Sequence, residues 1–212
     1  MEALTLSSPM VIEVVGLPGA GKSFFASQFA DTFGAAMVSC DKIRWTLFAN
    51  HTYSDTENSI VDQVADMMIT ELLRTRKTFV LDGGYNTNAA RKAMLARAHK
   101  NGFRVLTIVV QTDEPTSKRR ATKRSDKKVG DQYKQSMTNE QFELACQQYE
   151  EPQTSQDDVV VISGKHTYNT QAKTVLRRMV ETGKQPTEPT KIKVTAQSAT
   201  TLNIKPRGPF IG

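Results

Sequence analysis

The chain of 212 residues has little from which to build a covalent or metal framework. Its two cysteines, Cys40 and Cys146, stand far apart and share no ligand spacing. That excludes a disulfide scaffold and a zinc module and points to a reducing compartment. No run approaches the roughly eighteen apolar residues of a membrane span. The opening MEALTLSSPM lacks the basic and apolar regions of a secretory signal. A soluble, cytoplasmic protein with no membrane partner is expected. Hydrophobic residues make up only 38%, so part of the chain is expected to lie outside the packed core.

The net charge of +6 is concentrated in two places. Residues 115–134 carry eight Lys/Arg against two Asp, and residues 183–212 carry five against one Glu. The remainder is therefore net acidic, and the overall basicity is weak evidence for a nucleic-acid partner.

Five short apolar runs alternate with helical patterns. Met10–Val15, Ala35–Cys40, Thr78–Leu81, Phe103–Gln111 and Asp158–Ser163 read as strands. Helices are expected over Lys22–Phe33, with Phe25, Phe29 and Phe33 on one face and Gly34 closing it, and over Asp41–Ala49. Another spans Asp55–Lys77, with Ile60, Val61, Val64, Met67, Met68, Leu72 and Leu73 placed on its buried face. Further helices are expected over Ala89–Lys100, about 115–128, 138–150 and Thr170–Glu181. Alternation of this kind means a parallel sheet covered on both faces. The expected organisation is an N-terminal extension (1–9), one domain (10–182) and a basic, flexible tail (183–212), within which Ile192–Thr195 could add a strand.

Between the first strand and the first helix lies VVGLPGAGKS, which fits G-x-x-x-x-G-K-S/T. Gly16, Gly19 and Gly21 let backbone N–H groups turn inward onto phosphate oxygens, with the positive end of the next helix behind them. Gly16, Gly19, Ala20, Gly21, Lys22, Ser23 and Phe24 form the expected nucleotide cradle. Lys22 would reach the β- and γ-phosphates, and the Ser23 hydroxyl would ligate Mg²⁺. Absences narrow the chemistry. There is no N-K-x-D base-reading motif, Tyr85 stands where a switch GTPase carries glycine, and Gly83 follows the strand-end Asp82 where a motor ATPase carries glutamate.

The second strand ends in SCDKIR. In a doubly wound sheet Asp41 would project into the same crevice as the phosphate loop. A carboxylate there can take the proton of an attacking hydroxyl, and Arg44 can grip an anionic acceptor. Spacing alone leaves open the alternative that Asp41 caps a helix and pairs with Arg44 on the surface. Trp45 and Phe48 either stack on an acceptor or anchor their helix to the core. EPTSKRRATKRSDKK reads as an arginine-rich lid, with Arg120 and Arg124 four apart on one helix face. The pattern does not assign individual roles among Arg119, Arg120 and Arg124.

With these elements in order, residues 10–180 resemble the P-loop kinase group that includes the phage-type 5′-hydroxyl polynucleotide kinases, with zeta toxins and chloramphenicol phosphotransferases more distant. GLPGAGKS resembles the group's phosphate loop, SCDKIR its S-x-D-x-x-R acceptor motif, TFVLDGGYNTNAARK its third strand and RRATKR its lid. Phe142–Pro152 resembles the segment before its last strand. The resemblance implies an α/β P-loop NTPase fold with a five-stranded parallel sheet in the order 2-3-1-4-5. It implies a kinase using ATP and Mg²⁺ on a hydroxyl-bearing acceptor, narrowly a 5′-hydroxyl nucleic-acid end, with a metabolite, nucleoside or antibiotic as the alternative. Lys22, Asp41 and Arg124 would be catalytic, Arg120 would hold the nucleotide, Arg44 and Asn86 the acceptor, and Ser23 and Asp82 the metal. A reading of another class is a nucleotide-binding regulatory module without transfer.

Overall fold

The computed structural model describes residues 8–124, 133–152 and 158–183, so the tail and the strand expected at 192–195 lie outside the described residues. Five strands, β1 (Met10–Val15), β2 (Ala36–Ser39), β3 (Phe79–Asp82), β4 (Arg104–Gln111) and β5 (Val159–Ser163), form one sheet. All neighbours are parallel, in the order β2-β3-β1-β4-β5. This is the α/β P-loop arrangement.

β1 lies at the centre and every residue in it is buried, which fits its apolar run; the one charged residue, Glu13, accepts the Thr107 hydroxyl at 3.1 Å. Its side chains alternate between two cores. Met10, Ile12 and Val14 pack with Phe25 and Phe29 of α1 (Lys22–Phe33) and with Val175 and Met179 of α7 (Tyr168–Gly183). Val11, on the other face, joins Leu81, Val105, the helix α3 (Asp55–Thr75) and Met94 and Ala98 of α4 (Asn88–Lys100). The phenylalanines of α1 stack down one side, Phe25 to Phe29 at 5.4 Å and Phe29 to Phe33 at 4.5 Å. Gly34 then ends the helix in the left-handed region, at φ 58°.

α2 (Cys40–Leu47) starts one residue earlier than expected, and Asp41 lies in its first turn, after the N-cap Ser39. α3 differs more. Its buried stripe is Glu57, Val61, Ala65, Ile69 and Leu73, spaced by four, while Met67 is 61% exposed and Ile60 39%. Apolar residues on two sides of this helix make hydrophobicity alone ambiguous, and small Ala65 lets the 61–69–73 side approach the sheet. The basic stretch also departs from expectation. α5 (Glu114–Thr122) stops before Lys123, whose N–H closes onto the Arg119 carbonyl. Arg120 and Arg124 therefore do not share a helix face. α6 (Asn139–Gln148) follows, with Thr138 and Gln141 making a reciprocal capping box.

Ile69→Ala should lower unfolding free energy by about 2–5 kcal/mol, whereas Met67→Ala should stay within about 0.5 kcal/mol. Urea titration of both variants checks this, and equal losses would contradict the face assigned to α3.

Candidate functional site

Strand register brings the site together. Asp82 pairs with Val14 on one side and with Ser39 on the other, so β1, β2 and β3 end level. At this edge the loop 16–21, the start of α2 and the end of β3 converge, as expected at the carboxyl ends of a doubly wound sheet.

Asp82 is buried, and both of its carboxylate oxygens are used. Ser23 Oγ donates to Oδ1 at 3.0 Å, and Ser39 Oγ donates to Oδ2 at 3.1 Å. Ser39 thus spends its hydroxyl on Asp82, and it makes no side-chain cap to α2. Lys22 Nζ folds back onto its own loop, donating to the carbonyls of Gly16 at 2.7 Å and Leu17 at 2.9 Å. Lost solvation and the nearby Lys134 charge lower its pKa from the usual 10.5 to about 8, against the opposing pull of Asp82 and Asp41. Ala20 is buried, while Phe24 is exposed at the helix start.

Two close backbone approaches shape the loop. Gly19 has φ +77°, and a Cβ there would lie 2.1 Å from the Ser117 carbonyl of α5. The helix carrying Arg119 and Arg120 is thereby seated directly on the phosphate loop. Gly164, just after β5, would place a Cβ 1.9 Å from the Ala20 carbonyl, and Thr112 Oγ1 donates to that same carbonyl at 3.0 Å. Arg120 Nη1 donates to the Gly164 carbonyl at 3.2 Å, so it leans over the far wall of the loop. Arg124 lies on the other side, where its charge acts on Lys22, Asp41 and Lys134.

Asp41 meets a partner that no motif indicates. Lys134 Nζ lies 2.6 Å from Asp41 Oδ2 and donates to Ser23 Oγ at 2.6 Å. Burial would raise the Asp41 pKa, but Lys134, Lys22 and Arg124 outweigh it and hold the carboxyl below its ordinary value. Asp41 is thus ionised at neutral pH. The neighbouring Cys40 thiol is pushed up to about 11 by burial and by Asp41, which leaves it protonated and inert.

Arg44 is not paired with Asp41. It is buried, Nη1 lies 2.5 Å from Glu57 Oε1, and Nη2 donates to Asn58 Oδ1 at 2.9 Å. Its guanidinium sits 4.5 Å from the Tyr53 ring centroid. Glu57 Oε2 accepts the Thr52 N–H and hydroxyl, each at 2.7 Å, and the Tyr53 N–H at 3.1 Å. One carboxylate therefore ties α2 to the loop 51–54 and holds Tyr53 at φ 54°, unusual for a residue with a side chain. Burial alone would raise the Glu57 pKa, but the hydrogen bonds from Arg44 and Thr52 bring it down to about 2.

Around this loop lies an aromatic group. Trp45, one helical turn beyond Asp41, is half exposed and meets His51 edge-on at 5.4 Å and Tyr133 at 6.2 Å. Lys42 Nζ stands 5.3 Å from the Tyr133 ring. Trp45 is thus not an anchor to the core, whereas Phe48 packs against it. Asn86 is exposed, and its carbonyl accepts the Glu150 N–H at 2.9 Å. The Glu150 carboxylate in turn accepts the Asn88 N–H at 2.6 Å and Arg91 Nη2 donates to the Glu150 carbonyl, fastening the segment before β5 to the start of α4.

Hard oxygen donors at Ser23 and Asp82 suit Mg²⁺. Among the described residues no group of three or more His, Cys, Asp or Glu could hold a metal by itself. The donor set fits an ion that arrives with phosphate oxygens supplying most of its shell. Among the described residues no helix is long and apolar enough to cross a membrane.

Against known proteins, a family model described as an AAA domain matches residues 11–152. An adenylate kinase of Streptococcus pyogenes serotype M49 is 29% identical over 112 residues, covering 47% of this chain and 53% of that protein. The chain thus spans about half the length of the adenylate kinases it matches. Among solved structures, a gluconokinase from Sinorhizobium meliloti 1021 superposes with a TM-score of 0.58 at 16% identity, over 82% of this chain and 93% of its own. Kti12 of Chaetomium thermophilum, in complex with ADP-AlF3, gives 0.59 at 15%, over 79% and 96%. These likenesses show a shared P-loop kinase fold.

Gly19→Ala should weaken nucleotide binding about tenfold or more. A left-handed alanine costs roughly 1–2 kcal/mol. Its Cβ would also overlap the Ser117 carbonyl, so the loop must shift off the geometry that aims its N–H groups at phosphate. A tenfold loss is about 1.4 kcal/mol. Calorimetric titration measures it, and unchanged affinity would contradict the packing of α5 on the loop. For Glu57, the depressed pKa means its stabilising contribution is complete above about pH 4.5 and is lost as the pH falls towards 2. Glu57→Gln should melt lower than the parent at pH 7, and the two should converge in that acid window.

Proposed function

The chain belongs to the AAA-domain family, and from that premise we propose that it is an ATP-dependent phosphotransferase acting on a hydroxyl. The observation that carries the reading is the convergence of a phosphate loop, an ionised Asp41 and three cations in one crevice. Lys22, Lys134 and Arg124 bring positive charge to the place where a transferring phosphoryl group would sit. The Asp41 carboxylate beside the phosphate loop supports transfer over a regulatory module, for which the loop alone would suffice.

In this reading the loop N–H groups and Lys22 bind the phosphates, once Lys22 leaves the Gly16 and Leu17 carbonyls. Mg²⁺, held by the Ser23 hydroxyl and by Asp82 through water, would offset charge on the β- and γ-phosphates. Asp41 orients the acceptor hydroxyl and takes its proton. The acceptor oxygen then bonds to the γ-phosphorus as the bond to the β-phosphate oxygen breaks, leaving ADP and a phosphate monoester. Arg120, over Gly164, and Arg124, near Asp41, divide the nucleotide and phosphoryl sides between them.

For the acceptor, a 5′-hydroxyl nucleic-acid end is the favoured class. Trp45, half exposed and one helical turn from Asp41, offers a ring face, with His51 and Tyr133 edge-on to it and Lys42 beside Tyr133. Arg44 would have to use its free Nε, or exchange with Glu57, to grip an acceptor anion. Asn86, being exposed, remains available for the acceptor. A small-molecule acceptor is the second reading, favoured by the shared fold with a gluconokinase.

Asp41→Asn should lower transfer by about 10²–10⁴-fold, while ATP affinity stays close to that of the parent. Trp45→Ala should raise KM for an oligonucleotide end in proportion to a lost stacking contact of about 1–3 kcal/mol, and leave KM for ATP alone. Label from γ-labelled ATP, followed into an oligonucleotide and a metabolite pool in parallel, reads both. Undiminished turnover in Asp41→Asn would remove the base assignment, and label appearing only in metabolites would replace the acceptor class.

A further inference from the structure

Lys134 is reached by no motif, yet it touches both halves of the proposed chemistry. Its position is well braced. Two residues beyond it, Ser136 Oγ accepts the Arg124 N–H at 3.1 Å; the Met137 N–H then bonds to the Ala121 carbonyl at 3.0 Å, and Thr138 begins the α6 capping box. Tyr133, just before it, lies edge-on to Trp45. The ammonium is therefore presented by a backbone fastened on both α5 and α6.

The decisive geometry is at Ser23 Oγ. This hydroxyl has one proton, and it gives that proton to Asp82 Oδ1. Lys134 donates to the same oxygen at 2.6 Å and pairs with Asp41 at the same distance. A metal ligated by Ser23 must also approach a lone pair of this oxygen, at about 2.0–2.1 Å. Two cations would then stand within about 5 Å of each other across one atom, which Coulomb repulsion opposes. Lys134 on Ser23 and a metal on Ser23 therefore compete.

We propose that the pocket formed by Ser23, Asp41 and Asp82 is a cation site, and that Lys134 is its resident cation in the nucleotide-free protein. The proposal rests on the reading of Ser23 as a metal ligand. Without the ammonium, Ser23, Asp41 and Asp82 would be open to a weakly held divalent ion, with water in the positions that phosphate oxygens otherwise supply. With the ammonium in place, that ion is refused. The phosphates of the nucleotide bring new negative charge, so metal and nucleotide enter together and Lys134 is released from Ser23. Lys134 is a positioning residue in this account: it keeps Asp41 and Ser23 apart from stray metal and oriented for loading.

The test is Mn²⁺ binding to the nucleotide-free full chain, followed by electron paramagnetic resonance. Parent protein should bind the free ion weakly at this site, and Lys134→Met should bind it at least about tenfold tighter. Lys134→Arg, which keeps the charge, should behave as the parent. In the Lys134→Met background, Ser23→Ala should abolish the gain, which separates this pocket from the acidic face of α3. Equal Mn²⁺ binding by parent and Lys134→Met, or a gain that survives Ser23→Ala, would overturn the proposal. If Lys134→Met does not fold, Lys134→Gln carries the same comparison. Failure of every acceptor in the transfer assay would remove the proposed function and leave this metal competition standing.

Discussion

The carboxylate of Asp82 is the point on which the site depends. It sits at the end of β3, level with Val14 of β1 and Ser39 of β2, and accepts hydrogen bonds from Ser23, in the helix after β1, and from Ser39, the last residue of β2. Through Ser23 it fixes the start of α1 and so the phosphate loop. Through Ser39 it fixes the entry to α2 and so Asp41. A buried carboxylate with both oxygens satisfied holds its partners firmly, because an unmet partner in that place would be costly. The sheet register is what makes this possible. Strands two and three must end level for one side chain to reach both serines.

Around that anchor the walls of the crevice are set by close backbone contact rather than by large side chains. Gly19 admits α5, and Gly164 admits the turn after β5, each at a spacing that no Cβ would tolerate. Glu57 does the equivalent work at the start of α3, gathering Arg44, Thr52 and Tyr53 onto one carboxylate. The crevice is thus lined by charge, with aromatic rings beyond it. The cost of bringing like charges together falls on Lys22, whose lowered pKa reflects both burial and Lys134.

Much of the fold was legible in the sequence because the strands of a covered parallel sheet read as mostly apolar runs, even though Val161 of the edge strand β5 is exposed and Glu13 interrupts β1. All five strands and the phosphate loop fall where those runs and GLPGAGKS lie, and the resemblance supplied the strand order. The errors occur where local pattern was ambiguous. Ile60, Met67 and Met68 looked like core because they are apolar and helical, but packing selected the stripe through small Ala65. Nothing in RRATKR marks the end of α5, so the pattern alone puts Arg120 and Arg124 on one face. The partner of Arg44 is hidden from the sequence, since a glutamate thirteen residues away carries no local signal. Lys134 was invisible for a related reason. It is one of eight cations in a basic stretch, and only the tertiary structure places it against Asp41. Gly164 could have been noticed, as a glycine directly after the last strand at the ligand edge of the sheet.

The central claim is that a nucleotide's terminal phosphate lies between the phosphate loop and Asp41. A crystal structure with a non-hydrolysable ATP analogue and Mg²⁺ tests it most directly. The account predicts the γ-phosphate between Lys22 and Asp41, with Lys22 withdrawn from the Gly16 and Leu17 carbonyls and Lys134 no longer on Ser23. A triphosphate bound away from the loop, or one whose terminal phosphate points away from α2, would contradict it.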